Sequence, residues 1–287
     1  MSRLIINADD FGYSDAVNQG IIKAHREGIL TSATIMANMP HFQAAVSLAK
    51  QHPDLGVGIH LNVLRGRPLS PPRDIYSLLQ RDGLFFNSIS TFAAKFFSRQ
   101  IKPTHILQEY RRQIESVFES GLKPTHLDSE KHQHTLPGIF PLVIELAKLY
   151  GIGKVRYVDE RPFAMPTARN LFDPKIYKAW LISLFSTLQK KKIRRKNVRH
   201  VDAFFGISIT GKMYLNAILP FLEKMDGGTY EFMCHPGLPE MPSDADSNAG
   251  KFYITRTRPL ELEILLSKEL KTAIQRKQIR LIHYGDL

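Results

Sequence analysis

The feature that most constrains this chain is a series of short apolar runs without polar alternation. They are "RLIIN" near 3–7, "SATIMAN" near 32–38, "GVGIHLNV" near 56–63, "THLD" near 125–128, "KVRYV" near 154–158, "HVDAFFGI" near 200–207, "TYEFMCH" near 229–235 and "IRLIHY" near 279–284. A strand with one wet face alternates polar and apolar residues. A strand covered on both faces has no reason to, so these runs predict a parallel sheet. Helical periods lie between them. "DAVNQGIIKAHREG" covers 15–28, with Ser14 as N-cap and Gly28 placed to stop it; "FQAAVSLAKQH" covers 42–52. A third helix is expected over 104–121, with Thr104 as cap and Gly121 as terminator, and a fourth over 137–151, opened by a proline. "GKMYLNAILPFLEKM" and "RPLELEILLSKELKTAIQRK" add two more. Strand–helix alternation with about eight strands predicts an α/β fold, a (β/α) barrel that is TIM-like and irregular, with seven or eight strands.

The 287 residues are 43% hydrophobic, enough to bury the core of a single domain over 1–287. Segments 64–103, 159–180 and 236–256 fit the alternation poorly and are expected as long insertions after strands. No run approaches the about 18 apolar residues of a membrane span. The opening "MSRLIINADD" lacks a signal-peptide layout, and the single cysteine, Cys234, cannot form an intramolecular disulfide. Cytoplasmic location is the resulting expectation.

The formal charge of +12 is concentrated locally. "QKKKIRRKNVR", at 189–199, holds Lys190, Lys191, Lys192, Arg194, Arg195, Lys196 and Arg199 with no acid between them. It follows an apolar segment containing Trp180 and Phe185. The two together, 176–199, suggest peripheral contact with an anionic membrane, which would place the protein at the inner face; a solvated helix end is the plainer reading.

Polar residues gather where the apolar runs end. Asp9 and Asp10 end the first, His60 and Asn62 the third, Asp128 the fourth, with Glu130, His132 and His134 just beyond; His235 ends "TYEFMCH". In a βα barrel these ends share one face. Adjacent buried carboxylates repel, and a divalent cation relieves that repulsion. Carboxylates with imidazole suit Zn²⁺, Mn²⁺, Co²⁺ or Mg²⁺, so one aspartate can bind metal while the other accepts a proton from water.

The motifs "NADDFGYS" at 7–14, "GIHLNV" at 58–63, "PTHLDSEKHQH" at 124–134 and "MCHPG" at 233–237 resemble the YdjC-like carbohydrate deacetylases, also called the ChbG/HpnK family. "HLDSEKHQH" looks most like the hopanoid-biosynthesis-associated HpnK branch. The resemblance implies a metal-dependent hydrolase that removes the N-acetyl group from an N-acetylglucosamine-type amino sugar, on a hopanoid lipid glycoside or a chito-oligosaccharide. It implies Asp9 as general base, Asp10 and His60 as metal ligands and His235 as general acid. Much of the family has a histidine where this chain has Glu130. Glu130 is the favoured third ligand, with His132 or His134 as the alternative. Asp128 is expected either to orient a ligand or to cap a turn. Phe204 and Phe205 are offered as an aromatic face for a sugar or as core. Cys234, adjacent to His235 on a strand, should point away from it. The resemblance allows a homodimer, and nucleic acid is not expected. The alternatives are another metal enzyme on the same scaffold, a sugar isomerase or a phosphoesterase, the latter wanting more cations at the site than these motifs offer, and a non-catalytic binder of membrane or nucleic acid using the basic run.

Overall fold

The computed structural model describes residues 1–161, 163, 172–240 and 249–287, with 191, 192, 194, 195 and 249–255 as backbone alone. Its frame is a parallel sheet of seven strands: β1 (Arg3–Phe11), β2 (Ser32–Ile35), β3 (Gly56–Leu61), β4 (Leu127–Ser129), β5 (Ala203–Phe205), β6 (Thr229–Cys234) and β7 (Arg280–Leu281). The order is β4-β3-β2-β1-β6-β5, and β7 pairs with the start of β1. β1 is therefore central, and every residue after Arg3 in it is buried. That double coverage explains the missing alternation.

Nine helices lie among the described residues: α1 (Asp15–Glu27), α2 (Phe42–Gln51), α3 (Ile89–Phe97), α4 (Pro103–Glu119), α5 (Phe140–Leu149), α6 (Pro174–Arg195), α7 (Leu215–Glu223), α8 (Ala249–Leu266) and α9 (Lys268–Arg276). The sheet curls into a half-barrel. Between its edge strands β4 and β5 runs the segment 153–159, which bonds β4 through Arg156 N to Leu127 O (2.9 Å) and reaches β5 through Phe204 N to Asp159 O (3.1 Å). The α/β barrel-like expectation holds. None of the helices is long and apolar enough to cross a membrane.

Ser14 caps α1, accepting from Val17 N at 3.2 Å. Thr104 does not cap α4: Lys102 occupies that position and Pro103 opens the helix, its missing N–H costing nothing in the first turn. The helix expected over 137–151 starts only at Phe140. "KVRYV" is no regular strand, keeping only isolated bridges at Lys154 and Val155. The final helical pattern breaks into α8 and α9, because the Ser267 hydroxyl accepts from Leu270 N and restarts the helix. Segment 64–103 is tied down: the Glu109 carboxylate on α4 accepts from Leu69 N (3.0 Å) and Ser70 N (2.9 Å). In the insertions expected at 159–180 and 236–256, the described parts include the starts of α6 and α8; 162, 164–171 and 241–248 lie outside the described residues.

Candidate active site

The paired aspartates lie at the end of β1, as expected, and the strand closes one residue beyond them at Phe11. Consecutive residues of a regular strand point to opposite faces, so Asp9 and Asp10 could not both reach one pocket. A bulge removes the conflict. Ala8 pairs with Ala33 and Phe11 with Ile35, leaving Asp9 and Asp10 together opposite Thr34. Asp10 takes φ +72° to achieve this, a conformation aspartate tolerates better than most residues. Both carboxylates then line one cleft with His60, Glu130, Lys131 and His235.

His60 lies at the centre. Its Nδ1 is 2.8 Å from Asp128 Oδ1, and Thr34 Oγ1 donates to Asp128 Oδ2 at 3.1 Å. Asp128 thus orients the His60 ring, the first of its two expected roles. With Nδ1 engaged, Nε2 faces Glu130 Oε2 at 3.4 Å and Asp10 Oδ1 at 3.8 Å. The far oxygens of those carboxylates are held by arginines: Arg65 Nε on Glu130 Oε1 (2.7 Å) and Arg258 on Asp10 Oδ2. Each carboxylate therefore keeps one oxygen turned toward the imidazole. Donor atoms of Asp10, His60 and Glu130 all lie within 4.8 Å of one another, and an overlapping group joins Asp9, His60 and Asp128. An imidazole fixed by a carboxylate on its far nitrogen, facing two half-free carboxylates, fits a divalent cation. His134 is engaged elsewhere, with Ser129 Oγ (2.6 Å) and the Arg156 carbonyl (3.2 Å). His132 stacks edge-on against Phe204 and joins neither donor group.

Asp9 sits beside this cluster. Arg156, fully buried, donates to both its oxygens, at 2.6 and 2.8 Å, and Asn7 Nδ2 to one at 3.0 Å. Burial would raise the Asp9 carboxyl, but Arg156 outweighs it and holds the group well below the usual carboxylate range. The same guanidinium also pairs with Asp128 (2.6 Å) and Glu231 (2.8 Å), and Tyr284 donates to Glu231 from behind. Asp10 and Glu130 are likewise lowered: burial opposes their charge, and Arg258 and Arg65 prevail. His60 goes the other way, burial being outweighed by Asp128, which pushes its pKa well above the ordinary value.

His235 follows β6. Its backbone N–H donates to Glu261 Oε2 at 2.6 Å, and its ring Nδ1 is 3.7 Å from the same oxygen. Met233 and His235 line the cleft while Cys234 is buried behind, its thiol on the Asn7 carbonyl, as strand alternation requires. Phe204 and Phe205 are both core: neither offers a face to a sugar. The expectation of a site made mostly of acids and histidines needs correction, since Arg65, Arg156 and Arg258 all enter it. Each is committed to a site carboxylate. With Glu261, they are what reading the sequence missed; an arginine within "KVRYV" carries no local sign that its partners are distant.

The family model described as "YdjC-like protein" matches residues 3–276. A carbohydrate deacetylase of Brevibacillus brevis is 36% identical over 289 residues, covering 99% of each chain. One from Geobacillus stearothermophilus is 34% identical, covering 98% of this chain and 96% of its own. A crystal structure from Enterococcus faecalis V583, provisionally named a cellobiose-phosphate cleavage protein, superposes with TM-score 0.75 at 27% identity, covering 99% of this chain and 98% of that one.

Proposed function

The chain belongs to the YdjC-like protein family and is a carbohydrate deacetylase, and from that premise we propose that it hydrolyses the N-acetyl amide of an N-acetylglucosamine-type amino sugar with the help of a divalent metal. The observation that carries this reading is the convergence of Asp10, His60 and Glu130 on one point, flanked by Asp9 and His235. Asp10 Oδ1, His60 Nε2 and Glu130 Oε2 are the atoms that would hold the ion. Two carboxylates and one imidazole make a hard donor set, which favours Mg²⁺ or Mn²⁺ over Zn²⁺ or Co²⁺. When bound, such an ion supplies Lewis-acid polarisation of the acetyl carbonyl.

The chain's own residues do the rest. Asp9 remains ionised under Arg156, yet Oδ2 accepts only one bond from it and keeps a lone pair for a proton of the attacking water. As the water oxygen adds to the carbonyl carbon, that proton passes to Asp9. The protonated form of His235 is favoured: burial opposes its charge, but Glu261 outweighs this and raises its pKa above the ordinary value. It gives its proton to the sugar nitrogen as the C–N bond breaks, releasing acetate and the free amine. The three arginines here are already bound to carboxylates, so the cations left facing the cleft are Lys131 and Lys178, and the deacetylase reading rests on the relatives rather than on a lack of positive charge.

The test is acetate release from short chito-oligosaccharides and from a lipid-linked N-acetylglucosaminide such as a hopanoid glycoside. Metal-stripped protein is used with Mg²⁺, Mn²⁺, Co²⁺ or Zn²⁺ added back. Metal-dependent release that disappears in Asp9→Asn is the expected result, with Glu130→Ala losing metal affinity. Metal binding without release from any acetylated sugar would overturn the substrate assignment, and absence of metal binding would overturn the ligand assignment.

A further inference from the structure

Helix α6 has apolar residues on opposite faces. Ile176, Ala179 and Ile182 are buried against Val158, Phe204 and Met233, behind the catalytic cleft. At 100° per residue, Tyr177, Trp180, Leu181, Leu184 and Leu188 fall within one stripe on the other side. That stripe faces solvent: Leu188 is 63% exposed, Leu181 52%, Leu184 48%, Tyr177 52% and Trp180 39%. A helix that buries one apolar face and presents a second to water has a surface built for contact. Lys178, which borders the stripe, lines the mouth of the cleft.

Charge identifies what the stripe meets. From Pro174 to Arg199 the sequence contains no acid, and the basic run 190–199 continues directly from Leu188. A second copy of this chain would bring the same positive charge to the contact and be repelled. A nucleic acid has no use for exposed leucines. Apolar side chains beside a polybasic segment match the two layers of an anionic bilayer, acyl chains below phosphate headgroups. We propose that α6 is a peripheral membrane-docking helix that lays Leu181, Leu184 and Leu188 into an anionic phospholipid surface, with the positive charge of the sequence after Leu188 supplying the attraction to headgroups and the cleft mouth beside the lipid. This goes beyond the deacetylase reading and does not depend on it.

The chain has one tryptophan, and it is Trp180. Its emission therefore reports the stripe directly. With vesicles of phosphatidylcholine and phosphatidylglycerol, the emission should shift to the blue and the protein should co-sediment. Pure phosphatidylcholine should give little of either, and raised salt should weaken both. The double variant Leu184→Ser/Leu188→Ser should weaken partitioning by at least about tenfold, with an unchanged melting temperature and unchanged turnover of a soluble substrate. Lys191→Gln/Lys192→Gln/Lys196→Gln, which leaves Lys190 on the Tyr157 ring, should abolish the preference for the anionic lipid. No emission shift and no co-sedimentation with anionic vesicles would overturn the proposal, as would equal binding by the leucine variant. A dimer in sedimentation equilibrium that the leucine variant dissociates would overturn it in favour of a second copy.

Discussion

The His235 imidazole is pulled in two directions, by burial against its charge and by Glu261 in favour of it, and the carboxylate prevails. A general acid must be protonated to act, so activity should fall as pH rises through the His235 pKa. Glu261→Gln removes the prevailing influence, and the alkaline limb of kcat should move to lower pH; an unmoved limb in the pH–rate profile would take His235 out of the acid role. Asp128 is the comparable support for His60, and Asp128→Asn should weaken metal binding by about 10–100-fold in calorimetric titration. Arg156→Met should have its largest effect on stability. It strands Asp9, Asp128 and Glu231 without their shared cation, at a cost of about 3–5 kcal/mol read from denaturant unfolding. Asp9, Asp10, His60, Glu130 and His235 were legible in the sequence because motifs mark them. Arg156 lies 147 positions from Asp9, and Arg258 lies 248 from Asp10, so their pairings exist only after folding.

Among elements, the contact between α1 and the segment after β6 decides where His235 stands. Leu238 N donates to the Ala16 carbonyl at 2.9 Å, and the two backbones touch at a pair of glycines. A Cβ placed on Gly20 would lie 2.4 Å from Gly237 Cα, and backbone cannot yield as a side-chain tip can. Gly20→Ala should cost about 1–3 kcal/mol of stability by overpacking. It should also lower kcat by shifting the His235 segment, which melting curves and steady-state kinetics would measure together. Element type was readable from hydrophobic pattern, as α1 and β3 illustrate. Boundaries were not where a tertiary contact set them: β1 continues past its apolar run because a bulge makes two carboxylates useful there, and "KVRYV" bends away from strand geometry as it carries Arg156 to three carboxylates.

For the whole metal-free molecule, the ionisable groups predict an uneven response to acid. Burial, reinforced by Arg156, holds His126 and His132 well below the ordinary value and His134 at about 3. Below pH about 6.5 the unfolded chain gains those protons and the folded one does not, so each destabilises by about 1.4 kcal/mol per pH unit. Burial pushes Glu160 and Glu231 up to about 7, so the folded protein binds those protons first and offsets much of the loss down to the usual glutamate range. Below that range the offset ends, and the lowered carboxyls of Asp9, Asp10 and Glu130 add to the loss. His60 and His235, raised in the fold, are protonated in both states there and contribute no slope. Chemical denaturation against pH should therefore show a shallow decline from about 6.5 to 4.5 and a steep one beneath it. The strand order carries a consequence of another kind. β1, bearing both cleft aspartates, pairs along one side with β6 and along the other with β7 at its start and β2 at its end, so it joins the first strands of the chain to the last. On the ribosome β1 can meet β2 early, but its other edge stays bare until β6 is made, so the sheet's middle cannot close until translation is well advanced, and the growing chain carries an open strand edge for most of its synthesis.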